Sequence, residues 1–253
     1  MRVMMELLLC IDDTDNLESI GTGKLASRLA GLLENECGAG CSRVTRHQLF
    51  VHEDVPYTSH NSAMCFRVGL KRDTDADRLL ECAASFLEEA CAPGSDPGLC
   101  IAPLRAGLDE PGIVRFGKRA KETVLSKDEA YAAARRFKVH LSEHGGDGQG
   151  VVGALAGIGL RLSGNDGRFR GWFSFEDGSR PMEAENLAAH PFVDEIRSLS
   201  GGAVGKKDLV GLVDRIKTVL LDGRSVLLVE PCGNGSPGDP AWRILPKERL
   251  KAY

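Results

Sequence analysis

Residues 3–11 are almost continuously apolar, Val-Met-Met-Glu-Leu-Leu-Leu-Cys-Ile, and the chain then turns polar as far as Gly21. An apolar run this short has the length of a strand buried on both faces. From Gly23 the rhythm changes: Leu25, Leu29, Leu32 and Leu33 recur at helical spacing, which predicts a helix to about Glu36. The opening unit is therefore strand, acidic loop, helix. Val44–Val51 and Ala63–Leu70 read as two further strands, joined by a polar loop over Glu53–Ser62. Asp75–Ala90 reads as a helix with Leu79, Leu80, Ala83, Phe86 and Leu87 on its inner face, and Ala92–Gly98 as the punctuation that ends it.

The segment Gly107-Leu108-Asp109-Glu110-Pro111-Gly112 marks a second boundary. Beyond it the pattern predicts a strand near Ile113–Phe116, a basic turn, and a helix from Lys127 to about Leu141. The block Gly145-Gly146-Asp147-Gly148-Gln149-Gly150 then opens into a helix over 151–159, whose small residues allow close packing on a neighbour. Arg168–Phe175 alternates like a strand and Val226–Val229 reads as another, ahead of a Gly/Pro-rich tail. No internal repeat is present.

Composition narrows the classes. Hydrophobic residues at 42% and charged residues at 27% are ordinary for a globular chain. The net charge of −4 disfavours a sequence-independent nucleic-acid binder, which needs surplus positive charge to displace counterions from phosphates. Eight cysteines lie scattered, and only Cys37 and Cys41 are close, so no zinc-ligand set is expected and the thiols are read as reduced. The apolar start carries Glu6 and is too short for a leader, and no stretch approaches the roughly 18 apolar residues of a spanning helix. The expected location is the cytoplasm, away from membranes.

Candidate chemistry centres on Ile11-Asp12-Asp13-Thr14-Asp15. Three carboxylates in four positions at a strand end repel unless a cation or hydrogen-bond donors offset them. Magnesium suits such a turn, because it needs only one or two protein carboxylates plus phosphate oxygens and waters. Asp12, Asp13 and Asp15 are therefore candidate metal ligands; an Asx-rich turn capping a helix is the alternative. Gly21-Thr22-Gly23-Lys24 stands at the helix start, where backbone amides and Lys24 can hold a phosphate, although the spacing is not that of a P-loop. The glycine block with Gly148 and Gly150 is a second candidate anion cradle, or else a loop serving helix packing. His60 and His144 are candidate bases. Arg115, Lys118, Arg119 and Lys121, with Arg135, Arg136 and Lys138 downstream, form the densest basic runs.

Taken together, these residues resemble the archaeal agmatidine synthetase family, the isoleucine-tRNA 2-agmatinylcytidine synthetases. The resemblance is carried by Ile11-Asp12-Asp13-Thr14-Asp15, Thr22, Thr45-Arg46, Val55-Pro56-Tyr57-Thr58 and Asn61. It continues in Pro111-Gly112-Ile113-Val114, in residues 148–159 and, loosely, in Pro231-Cys232-Gly233. It extends over about residues 2–175. It implies a kinase-like α/β domain over 1–108 followed by a ferredoxin-like α+β domain over 109–253. It also implies ATP and magnesium on the acidic turn. Thr22 would be the phospho-acceptor, Asp12, Asp13 and Asp15 would be metal and phosphate ligands, and Arg46 or Asn61 would help position substrate. Joined to the loop reading, this makes Thr22, Asp13 and Asp12 the candidate catalytic residues and Gly21, Gly23, Lys24, Arg46, Asn61, Gly148 and Gly150 the candidate cofactor-binding residues. The sequence departs from the family at Ser59-His60 and Gln149, where basic residues are expected, and carries no zinc-cysteine set before Tyr253. The expectation is an ATP- and Mg-dependent phosphotransferase or ligase on a small-molecule substrate, with nucleic acid disfavoured. The alternatives are a non-catalytic nucleotide-binding module and a tRNA-modifying subunit that relies on a partner to grip tRNA.

Overall fold

The computed structural model describes residues 5–53, 61–72, 75–175, 180–232 and 239–253. The chain forms two compact units, Met1–Ser163 and Gly164–Tyr253. The first contains β1 (Met5–Asp12), α1 (Thr22–Cys37), β2 (Gly40–Cys41), β3 (Thr45–Gln48), β4 (Ser62–Leu70), α2 (Asp75–Ala90) and β5 (Gly98–Pro103). It continues with α3 (Glu110–Arg119), α4 (Lys127–Phe137), β6 (His140–Glu143) and α5 (Gly150–Leu162). Its strands run β6-β5-β1-β4-β3, with β2 also on β4, and every pairing is antiparallel.

The strand period of two sorts the side chains of this sheet into two cores. Leu7, Leu9 and Ile11 of β1, Met64, Phe66 and Val68 of β4, and Leu99 and Ile101 of β5 meet Leu25, Leu29 and Leu33 of α1 and Leu79, Ala83 and Leu87 of α2. The intervening Leu8 and Cys10, Ala63 and Cys65, and Cys100 and Ala102 meet Ile113 and Phe116 of α3, Ala130 and Ala134 of α4, and the buried face of α5. Helices therefore cover both faces of the sheet, which is why β1 is apolar at nearly every position. Such continuous runs are usual in parallel sheets; here double coverage of an antiparallel sheet produces the same pattern.

Several sequence expectations are corrected. Ile113–Phe116 is helical, because Asp109 caps α3 by accepting from the Gly112 N–H at 2.9 Å and Pro111 lies in the first turn. The helix after Lys127 stops at Phe137, where Lys138 takes a left-handed conformation (φ 57°), and the chain re-enters the sheet as β6. Gly98–Pro103, where the sequence pattern predicts no element, is strand β5. The helices of residues 110–162 pack on this sheet, to which β6 adds a strand, and the first compact unit runs to Ser163.

The second unit holds β7 (Arg168–Phe169), β8 (Met182–Glu183), α6 (Ala184–Ala188), β9 (Glu195–Ser198), β10 (Leu209–Gly211), β11 (Val219–Leu221), β12 (Arg224–Pro231) and β13 (Trp242–Ile244). Its strand order is β7-β11-β12-β13-β10-β8, with β9 parallel to β12. The expected strand over Arg168–Phe175 is regular only at β7, and Phe173 forms an isolated bridge with Ile216. Alternation again divides a long strand: Leu227 and Val229 of β12 face one apolar cluster, Val226 and Leu228 another. No helix in the described residues is long and apolar enough to cross a membrane.

Candidate functional site

Strand direction gathers the site. Asp12 at the end of β1 lies opposite Gly98 at the start of β5, and Gly98 lies opposite Glu143 at the end of β6. The acidic turn, the 92–97 connection and the 144–149 loop thus meet at one end of the sheet. Helices α1 and α5 both begin there. Two motifs far apart in sequence, the acidic turn and the glycine block, become neighbours in this way.

Within the turn, Asp12 is only 7% exposed. Its carboxyl is pushed well above the usual range, first by burial and then by the charge of Asp13, against an opposing backbone hydrogen bond from Asp13. Asp13 adopts a left-handed backbone (φ 51°), which Asp and Asn tolerate better than most residues. Its carboxyl rises to about 6 through burial, then the charges of Asp96 and Asp15. Thr14 is 2% exposed, and its hydroxyl has no hydrogen-bond partner among the described residues. Asp15 Oδ1 accepts from Thr22 Oγ1 at 2.9 Å, joining the turn to the first residue of α1. Gly21 precedes that helix at φ 82° and offers no side-chain cap. The amides of Thr22 and Gly23 belong to the first turn, which has no acceptor within the helix. Lys24 beside them is exposed.

The glycine block closes over this turn by near-contact of backbones. An added Cβ at Gly98 would lie 2.2 Å from the Gly150 carbonyl carbon, at Gly150 2.9 Å from the Asp12 carbonyl oxygen, and at Gly153 1.7 Å from Asp12 Oδ2. The Gly150 N–H donates to the Asp96 carbonyl at 3.0 Å, and the Asp147 N–H donates to the Asp96 carboxylate. Gly150 thus spends its amide inside the protein and serves close packing. Gly148 has φ 69°, and a Cβ there would strike Glu143 Oε2 at 1.8 Å. Lys127 Nζ fastens the loop from outside, to Glu143 at 2.8 Å and to the Asp147 carbonyl at 2.7 Å.

The remaining sequence candidates lie elsewhere on the unit. Arg46 Nε donates to Ser62 Oγ at 3.0 Å on the β3–β4 ladder. Asn61 Nδ2 donates to the Phe50 carbonyl at 2.6 Å, and its own carbonyl accepts from Leu49 N and Gln48 Nε2, so it closes the loop between these strands. His144 Nε2 lies 2.8 Å from Ser142 Oγ, which lies 2.9 Å from His140 Nε2; His144 Nδ1 is 3.6 Å from Glu88. In the basic runs, Arg119 pairs with Glu129 and Arg136 with Asp109. Val55-Pro56-Tyr57-Thr58, Ser59-His60 and Gly233 lie outside the described residues.

Among the described residues no three His, Cys, Asp or Glu side chains form a ready-made metal centre. The donor set nevertheless suits a hard cation that takes one or two carboxylates. Repelling carboxyls, a buried hydroxyl with no partner and glycines that admit close approach all stand around one turn. Sequence reasoning missed Asp96. It stands in a Ser-Asp-Pro-Gly stretch that signals only a turn, and nothing local shows that β5 will bring it to Asp13.

No protein-family model matches the chain. The tRNA 2-agmatinylcytidine synthetase TiaS of Cenarchaeum symbiosum (strain A) is 29% identical over 153 residues, which is 60% of this chain and 33% of that protein. The crystal structure of a tRNA fluorescent labeling enzyme superimposes with a TM-score of 0.53 at 20% identity, over 74% of this chain and 45% of that one. The complex of TiaS with its tRNA and ATP gives 0.51 at 18% identity, over 84% of this chain and 52% of TiaS. The chain therefore spans a third of the curated relative and about half of the solved ones. An acidic strand end, a hydroxyl on its last carboxylate and a glycine-led helix, set on a mixed α/β fold, accompany a homology to part of the length of the agmatidine synthetases.

Proposed function

We propose that this chain is an ATP- and magnesium-dependent phosphotransferase or ligase related to agmatidine synthetase, with Thr22 as its phospho-acceptor and a small molecule as its final substrate. The observation that carries the reading is the 2.9 Å hydrogen bond from Thr22 Oγ1 to Asp15 Oδ1. A hydroxyl held by a carboxylate at the mouth of a helix is a nucleophile next to its base. Asp15 would take the Oγ proton of Thr22 as that oxygen attacked the terminal phosphoryl group of a bound ATP, with ADP as the leaving group. The first-turn amides of α1 and the Lys24 ammonium would face the phosphates. Asp12 and Asp13 would hold magnesium, which supplies charge neutralisation across the β- and γ-phosphates. Residues 1–108 are read as the kinase-like part and 109–253 as containing the ferredoxin-like part.

The ATP complex of a structural neighbour supports the nucleotide, and the names of the relatives support a connection with tRNA modification. The net charge of −4 favours a small acceptor over an unaided grip on tRNA. The test is incubation with magnesium and γ-labelled ATP followed by peptide mapping. Label on Thr22 that disappears in Thr22→Ala supports the reading. ATP bound intact, with no label, would favour a nucleotide-binding module, and no ATP binding would leave the acidic turn a structural feature.

A further inference from the structure

We propose that Ser142 is the nucleophile of a second catalytic centre, with His144 as its base and Glu88 positioning that base, and that its substrates are carboxylic esters. Ser142 and His140 lie opposite Leu99 and Ile101 of β5, which belong to the core beneath α1 and α2, so alternation turns this row of side chains toward α2. Ser142 Oγ lies 2.8 Å from His144 Nε2, and His144 Nδ1 lies 3.6 Å from Glu88 Oε1 of α2. Hydroxyl and carboxylate thus stand on opposite nitrogens of one imidazole, the arrangement by which a serine hydroxyl is activated.

The His144 side chain is only 7% exposed, and its Nδ1 is buried without a hydrogen-bond partner among the described residues. The Glu88 carboxylate is the acceptor it faces, and such contacts commonly tighten once substrate binds. An Nδ1–H beside that carboxylate leaves Nε2 with a lone pair for the Ser142 proton. His140 Nε2 lies 2.9 Å from Ser142 Oγ on its other side. Burial, then the charge of His144, holds His140 below the usual histidine range, so it remains neutral near pH 7 and donates one N–H to that oxygen. Strand β6 stands at the end of the strand order. The His144 N–H donates to the Pro97 carbonyl at 2.9 Å, so by alternation the Leu141 and Glu143 N–H groups point away from β5, to the open edge. The amide of the residue after the nucleophile is an oxyanion donor in α/β-hydrolases, and Glu143 holds that position here. Ser142 would bond to the ester carbonyl carbon as its proton passed to His144 Nε2. The alcohol would leave with that proton, and water, deprotonated by the same nitrogen, would release the acid and restore the hydroxyl. None of these groups belongs to the acidic turn or to α1, so the centre is independent of the nucleotide reading.

The test treats the full chain with a fluorophosphonate probe, maps the label by peptide mass, and follows hydrolysis of p-nitrophenyl acetate. The expected label is on Ser142. His144→Ala should slow labelling roughly a hundredfold or more. Ser85→Ala, at an exposed serine of α2, should label at the parent rate. Glu88→Gln should slow inactivation at saturating probe while leaving the probe's binding constant unchanged, a split that a purely structural tie does not produce. Ser142→Ala should abolish hydrolysis, but it also removes the bridge between two histidines. Ser142→Cys keeps that bridge, and it should melt with the parent and take iodoacetamide at position 142 in place of the fluorophosphonate. Label on another residue, or Ser142→Ala hydrolysing the ester at the parent rate, overturns the proposal and leaves the row a structural link from β6 to α2. A Ser142→Cys chain that melts with the parent but takes no iodoacetamide at that position overturns it equally.

Discussion

Asp13 holds two strains at once, a left-handed backbone and a carboxyl raised from 3.8 to about 6. Its pH dependence has a definite sign. Below about pH 4 the group is protonated in both states and costs nothing. Between the two values the unfolded chain ionises while the folded one does not, so stability falls as pH rises, and the loss is complete above about 6. Without nucleotide, Asp13→Asn should therefore melt higher than the parent near neutrality, by a margin that grows from pH 4 to 6. The same variant should lose ATP turnover, because stability gained at such a position is commonly taken from function. Equal melting temperatures across that range would show that Asp13 is not strained by charge. Thr22→Ser should retain labelling by γ-labelled ATP where Thr22→Ala loses it, since only the hydroxyl on Asp15 is required. The acidic triplet and Thr22 were legible in sequence because their chemistry is local. The anchoring of the glycine loop by Asp96 was not, since it depends on which strands β5 joins.

At the scale of elements, the glycines separate into two kinds. Gly98 would drive a Cβ into the backbone of Gly150, and Gly159 one into the Ile113 carbonyl at 2.2 Å. Backbone cannot step aside, so Gly98→Ala and Gly159→Ala should each lower stability by about 1–3 kcal/mol, measured by denaturant unfolding. Gly153 differs, because what its Cβ would meet first is the Asp12 carboxylate, the tip of a side chain. Gly153→Ala should displace that carboxylate and reduce turnover while shifting the midpoint far less than Gly98→Ala. The tight packing expected of residues 151–159 was readable from their composition. Helix α3 departs from the sequence pattern because Ile113, Val114 and Phe116 carry β-favouring side chains, and the cap at Asp109 with Pro111 outweighs that propensity. Strand β5 is hidden because Gly98 and Pro103 bracket a short run that looks like the rest of a turn.

For the whole molecule, the sequence boundary at 108 rests on Gly and Pro punctuation, whereas the compact first unit ends at Ser163. The difference has a physical source: residues 110–162 supply the helices that cover the Leu8 and Cys10 face of the sheet. A fragment ending at 108 should expose that face and aggregate. A fragment ending at 163 should unfold cooperatively and, on the proposed reading, still bind ATP; calorimetry of the two fragments checks both outcomes. The antiparallel central strand also sets a schedule for synthesis. Among the described residues β1 is flanked in the sheet by β4 and β5, and its last pairing, Asp12 with Gly98, spans 98 − 12 = 86 positions. At about 5–20 residues per second, a ribosome leaves this apolar segment without its second neighbour for roughly 4–17 s. Contacts so distant along the chain slow folding as well. The nascent chain should therefore depend on a holdase chaperone, and yield in the cell should rise when translation is accelerated between codons 12 and 98.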